Sequence, residues 1–376
     1  MILRGASVLL AAVIAASCGG TVGRAAPAAN ATATTRVALV SPSATPLIDV
    51  NDMMGAFPPA TFFVVGGDGI RAIALLNHAT RYTISWSGKE AQVAAVGEAG
   101  RVYVLDQVSQ GTRLRWFDLA SGNERASRTI DGTAPVGTGI GHGTLVVDAS
   151  TGLVYALLRE PRGIAVAAFD WFTLRSARQV DGDFLYRGLR CGERLVAAAG
   201  RLAVACLTRS TGAIVNAEST VGGIIVDDGG PSFKLRAPFA ITAMAMLGDG
   251  TLMAGGADGS LVRLARDQST LEAVNALREY GKGLIPDGIA ANGGCCFYFG
   301  ILDPGANDVQ VRIVAGGAAL IAFPASTPPS GGVFVQAPFA YYVIEGKARH
   351  IDIDQGFQEV MADIGAGAMP GAAADR

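Results

Sequence analysis

The chain has 376 residues, of which 50% are hydrophobic and only 16% charged, with a formal net charge of -2. Soluble domains usually carry about 25% charged residues, and Lys occurs here only at positions 89, 234, 282 and 347. With no basic patch or stripe, a nucleic-acid partner is excluded.

Residues 1–17, MILRGASVLLAAVIAAS, place Arg4 before an apolar run from Ala6 to Ala16 that ends in small residues. This is the grammar of a signal peptide, and the run is shorter than the roughly 18 to 20 residues of a membrane-spanning helix. The stretch Ala15-Ala16-Ser17-Cys18-Gly19-Gly20 resembles a bacterial lipobox, with Ala15 where the family usually has Leu. The resemblance implies a lipid on Cys18 and an extracytoplasmic protein anchored to the bacterial cell membrane. The alternative is a secreted or periplasmic protein cleaved later, near Ala26-Pro27-Ala28.

Residues 18–35 are small and polar apart from the anchor and cannot bury a core, so they read as a lipid-anchored flexible tether. Residues 365–376, GAGAMPGAAADR, have the same character and read as a disordered tail, which leaves a folded domain over 36–364. Within it, short β-branched and aromatic runs are broken by Gly, Asp, Asn and Pro, the pattern of strands joined by tight turns. Ser269-Thr270-Leu271-Glu272 reads either as a helix capping box or as part of an outer strand.

Aligning the runs on their second hairpin member gives anchors at Phe63, Tyr103, Tyr155, Ala203, Met253, Phe297 and Tyr342, separated by 40, 52, 48, 50, 44 and 45 residues. A period in the forties with four strands per unit predicts an all-β fold, a single β-propeller of seven four-stranded blades, with six or eight as the alternative counts. The ring is expected to be closed by N- and C-terminal strands, with residues 36–50 lending a strand to the last blade. The turns Asp118-Leu119-Ala120-Ser121-Gly122 and Asp148-Ala149-Ser150-Thr151-Gly152 share the form D-x-x-[ST]-G, and Thr208-Arg209-Ser210-Thr211-Gly212 repeats it with Thr first. An Asp carboxylate can accept from turn amides while Gly takes the positive φ. These turns, with residues 241–264, resemble those of quinoprotein-like and other bacterial repeat propellers of the WD40/YVTN kind. That likeness covers most of residues 60–350 and implies a fold, with no activity attached.

Few residues invite chemistry. Setting Cys18 aside leaves four cysteines, an even number suited to disulfides in an oxidising compartment. Cys191 and Cys206 flank a hairpin turning near Ala199-Gly200, which sets them two positions out of register. Adjacent Cys295 and Cys296 read either as a vicinal disulfide, known in quinoprotein propellers, or as buried small hydrophobes. The segment Pro286-Asp287-Gly288-Ile289-Ala290 resembles the strand entry of lactonase-like propellers, where the Asp position can bind a central metal; the plainer reading of Asp287 is a turn cap. Asp352-Ile353-Asp354-Gln355-Gly356 has its Gly one residue early for a calcium loop and reads as a strand entering a turn. The three histidines, at 78, 142 and 350, form no local metal-ligand spacing, and His142 lies in a Gly-rich loop between blades. Serine-hydrolase, c-type haem and phosphate-loop motifs do not occur.

The expected function is therefore binding or scaffolding for a cell-envelope protein or glycan, with no cofactor and no metal site. An exported enzyme with a central-channel site at Asp287 and His142, a metal-dependent lactone hydrolase or a quinoprotein-like oxidoreductase, is the alternative. Calcium or a quinone is the cofactor that alternative would call on.

Overall fold

The computed structural model describes residues 60–374 apart from 88–89, 136–142, 162, 181–184, 187–188, 209–221, 230–231, 240, 257–260, 275–284, 293–295, 304–307, 315–317, 325–332, 337–338 and 353–356, and over 285–336 it describes the backbone. The described residues are all strand and turn, and their strands form seven antiparallel sheets. The second sheet is the simplest, with Ala91–Val96, Arg101–Val108, Gly111–Asp118 and Glu124–Asp131 side by side in chain order. The fifth runs from Ile241–Met246 to Glu272–Val274, the sixth from Ile285–Asn292 to Ala318–Pro324, and the seventh from Val333–Gln336 to Phe357–Asp363, in the same way. The third and fourth sheets each add a two-residue strand, Ala134–Pro135 and Leu185–Tyr186. All seven anchors fall in the second strand of a sheet.

Where side chains are described, the second strands are buried on both faces, which explains their near-continuous apolar runs: Thr61–Gly66 is buried at all six positions. Each face belongs to a different core. Phe63 packs with Val93, Val102 and Val104 toward the second sheet, while Phe62 and Val64 pack with Tyr341, Val343 and Met361 toward the seventh. Sheets of this kind have two apolar faces that only neighbouring sheets can cover. The first strands accordingly touch in order, Met369–Ala374 against Ala91–Val96, then Leu145–Asp148, Leu189–Ala198, Ile241–Met246, Ile285–Asn292 and Val333–Gln336, and that last strand touches Met369–Ala374 again.

Two expectations change. Residues 365–376 are not a disordered tail, because Met369–Ala374 is a strand paired antiparallel with Thr61–Gly66. It is the first strand of the first sheet, ahead of Thr61–Gly66, Gly69–Ala74 and Thr80–Ile84. Its small residues suit a crowded position: Ala372, Ala373 and Ala374 are buried, and a Cβ on Gly371 would stand 3.1 Å from the Phe63 carbonyl oxygen and 3.2 Å from the Val93 side chain. The folded domain therefore extends through residue 374 and past the expected limit at 364. The strand that joins the chain's two ends comes from the C-terminus; residues 36–50, expected to close the ring, lie outside the described residues, as do the signal peptide, Cys18 and the tether. Glu272–Val274 is a strand, so the outer-strand reading of that segment holds.

Deleting residues 369–376 should remove five ladder positions from Thr61–Gly66, a loss of roughly 5 kcal/mol at about 1 kcal/mol per hydrogen bond. Circular-dichroism melting should show failure to fold or a large drop in Tm, and Gly371→Val a smaller drop from overpacking. Unchanged melting in both would contradict the pairing of this strand with Thr61–Gly66.

Candidate functional site

Three of the turns between third and fourth strands are the same six-residue structure. In Ala74–Ala79, Asp118–Asn123 and Asp170–Arg175 the first amide donates to the carbonyl of the last residue, at 2.9 Å in each. The fifth amide donates back to the first carbonyl at 2.8 to 2.9 Å. The second amide donates to the residue just before the second strand: Leu75 to Ala60, Leu119 to Gly100 and Trp171 to Gly152. The fifth position takes a left-handed conformation, with φ of 57° at His78, 71° at Gly122 and 54° at Leu174. Glycine is the natural occupant there, since a Cβ is disfavoured at positive φ.

Asp at the first position does what the D-x-x-[ST]-G pattern predicts. Asp118 Oδ1 accepts from the Ser121 amide and hydroxyl at 2.8 and 2.7 Å, and Asp170 Oδ1 from the Thr173 amide and hydroxyl, both at 2.7 Å. The Ser121 hydroxyl bond holds the Asp118 carboxyl below its ordinary pKa, as the Thr173 amide does for Asp170. Burial opposes ionisation of Asp148, yet hydrogen bonds from Ser150, from the Gly200 amide of the next sheet at 2.8 Å, and from Thr151 hold it low as well. The second sheet's buried Asp106 accepts from the Ser87 amide and from Arg113 and Arg115. These acids are committed to holding the fold.

The turns are clasped by the preceding sheet. Tyr82 and Arg81 of the first sheet donate to the Leu119 and Ala120 carbonyls at 2.8 and 2.7 Å. Tyr103, Trp116 and Arg128 of the second donate to the carbonyls of Trp171, Phe172 and Leu174 at 2.8, 2.9 and 3.0 Å. Arg101 lies 4.7 to 5.2 Å from the ring centroids of Trp116, Trp171 and Phe172. The third turn position points outward throughout: Leu76 is 67% and Phe172 57% exposed, and Ala120 between them is exposed too. Three consecutive sheets thus present an apolar residue at one rim.

At the junction of the seventh and first sheets the clasp has different chemistry. His350 faces Tyr341 on one side and Glu359 on the other in the strand ladder. With Asp352 paired to Phe357 where Asp118 opens the second sheet's turn, His350 stands two residues before the turn, the place of Trp116. Across the junction lies His78. Its Nε2 is 3.6 Å from Glu359 Oε2, and His350 Nε2 is 4.0 Å from the same oxygen. The imidazole rings are 5.8 Å apart, and Phe339 meets His350 edge-on at 5.8 Å. His350 is buried, and burial lowers its pKa against the opposing pull of Glu359, which favours the neutral imidazole. Among the described residues His78, His350 and Glu359 are the set able to hold a metal ion, where none was expected.

The residues singled out from sequence fare unevenly. His142, Cys295 and residues 209–212 lie outside the described residues. Asp287 sits at a register shift between Pro286 and Gly288 in the sixth sheet's first strand, and Cys296 opens that sheet's second strand. Cys191 is directly opposite Cys206, not two positions away, because the ladder shifts between Cys191 and Leu195 and the extra residues of a bulge absorb the offset. Cys206 is fully buried and disulfide-bonded. The His78–His350–Glu359 set escaped sequence reading, since 272 residues separate the two histidines; only alignment of the turns could have placed them together.

No known family model matches the chain, and no curated protein is similar to it in sequence. Solved structures do resemble it. The β-propeller domain of the Trilobed protease from Pyrococcus furiosus superposes with a TM-score of 0.53 at 13% identity, covering 78% of this chain and 87% of that one. Apo AztD from Citrobacter koseri gives 0.50 at 14% identity, covering 82% and 83%. An oligogalacturonate lyase from Vibrio parahaemolyticus gives 0.50 at 9%, covering 81% and 85%. At such identities the likeness establishes the fold, a β-propeller, and nothing of the activity.

Peptide mapping of the purified protein without reductant should recover Cys191 and Cys206 in one cross-linked pair. Closing a loop of this length is worth about 3 kcal/mol, so Cys191→Ser should lower stability by about 2 to 3 kcal/mol in chemical denaturation. Recovery of both as free thiols would refute the pairing.

Proposed function

We propose that this chain is a closed seven-bladed propeller, exported and held at the membrane by a lipid on Cys18, that binds or scaffolds a cell-envelope protein or glycan through the rim of its third-to-fourth turns. The observation that carries this reading is the line of Leu76, Ala120 and Phe172, exposed at one position of three equivalent turns. Large apolar side chains are seldom left in water on several neighbouring elements unless a partner covers them. Phe172 is backed by Trp116, Trp171 and Arg101, the aromatic and Arg composition of binding hot spots. The turn carboxylates nearby are already engaged by turn amides and hydroxyls, which favours adhesion over acid-base chemistry at this rim.

The test is photocross-linking in the producing cells. A benzophenone amino acid at position 76 or 172 should give a discrete protein adduct, while one at Gln110, exposed on a second-to-third turn, should give none. A glycan partner would give no protein adduct, and Phe172→Ser would then abolish retention on isolated cell-wall material. Equal labelling at all three positions, with retention unaffected, would defeat the rim reading. Fatty-acid labelling should be lost in Cys18→Ala; labelling that persists removes the lipid anchor from the proposal.

A further inference from the structure

We propose that His78, His350 and Glu359 form a binding site for a divalent transition-metal ion of the zinc type, bridging the seventh and first sheets. Two imidazoles and one carboxylate are an established ligand set for zinc with a fourth position open to water or an external ligand.

The geometry is that of ligands aimed at a common point. Both Nε2 atoms approach the same oxygen, Glu359 Oε2, at 3.6 and 4.0 Å. Those separations are too long for a hydrogen bond, yet close to the donor spacing of about 3.3 Å that a tetrahedral site with bonds near 2.0 to 2.1 Å demands. All three candidate ligand atoms lie within 4.8 Å of one another. Drawing the donors from a span of up to 4.8 Å to that spacing is a closure of at most about 1.5 Å.

The ligands are also held in place. His78 is fixed by the six-residue turn, at a position where the second sheet has Gly122. His350 is buried in a strand with Phe339 edge-on against its ring. Glu359 is its ladder partner and is half exposed, so the site opens to solvent on that side. Where the second sheet reaches over with Tyr103 and Trp116 to backbone carbonyls of the next turn, the seventh sheet has Tyr341 and His350, and the turn it faces offers an imidazole. The chain has only three histidines, and two of them meet here from opposite ends of the domain.

The test is zinc titration of the chelator-treated exported protein by calorimetry, alongside cobalt(II) absorption spectra. Wild type should bind one equivalent and give the visible bands of tetrahedral cobalt. His78→Ala, His350→Gln and Glu359→Gln should each weaken binding at least 30-fold and lose those bands, while His142→Ala leaves both unchanged. Melting of each variant checks its folding, and Glu359→Gln, the half-exposed and isosteric change, decides the matter if His350→Gln fails to fold. Unchanged affinity in Glu359→Gln and His78→Ala, or loss in His142→Ala, would overturn the site. Its failure would leave the rim-binding reading standing, since that rests on other residues.

Discussion

The clasp by which the first and second sheets each hold the next sheet's turn is the constraint on which this part of the molecule rests. A four-stranded antiparallel sheet twists and has two apolar faces, so packing alone would let neighbours slide or rotate over one another. Directional bonds prevent that. The six-residue turn offers carbonyls with fixed aim because its first and fifth amides bond within the turn and its second to the residue before the second strand, and tyrosine, tryptophan and arginine side chains of the preceding sheet reach them at 2.7 to 3.0 Å. Arg201 repeats the device with a buried guanidinium that donates to the Gly250 carbonyl at 2.9 Å across the fourth-to-fifth junction. Hydrophobic burial brings the sheets together; these bonds set their register.

A low charge content is the compositional trace of this design. Where side chains are described, both faces of the sheets are spent on neighbours, leaving turns and fourth strands to face water. The buried acids are paired, within a sheet as Asp106 with Arg113 and Arg115, or across a junction as Asp227 of the fourth sheet with Arg178 of the third. Buried groups of this kind are tolerated only when paired and hydrogen-bonded.

What could be read from the sequence follows from that division. Second strands buried on both faces produce unbroken apolar runs, and the anchors at Phe63, Tyr103, Tyr155, Ala203, Met253 and Tyr342 were legible for that reason. Turn chemistry was legible where Asp and Gly carry it, at 118–122. The same turn at 74–79, with Ala first and His fifth, shares no residue type with that pattern and is recognisable only by its backbone bonds. The C-terminal strand was missed because Ala and Gly signal a tether when exposed and a tight fit when buried, and composition cannot tell the two apart. The offset of Cys191 from Cys206 was counted correctly, but a bulge cannot be foreseen from spacing.

The junction of the seventh and first sheets stands apart energetically as well as chemically. Pairing Thr61–Gly66 with Met369–Ala374 closes a loop of about 300 residues, which costs roughly 5 kcal/mol of chain entropy on the (3/2)RT ln n scaling, far more than any hairpin within a sheet. The contacts that offset this cost are Phe62 stacked on Tyr341 at 4.7 Å, the core they share with Met361 and Ala373, and the Arg71 bond to the Asp363 carbonyl. Histidines and a carboxylate take the place of the carbonyl clasp at this one described junction, so the element that is entropically dearest to close is the one whose clasp can respond to a ligand. Any ion with higher affinity for the assembled trio than for the separated sheets must stabilise the paired seventh and first sheets by mass action, and their docking and metal occupancy then become two readings of one equilibrium.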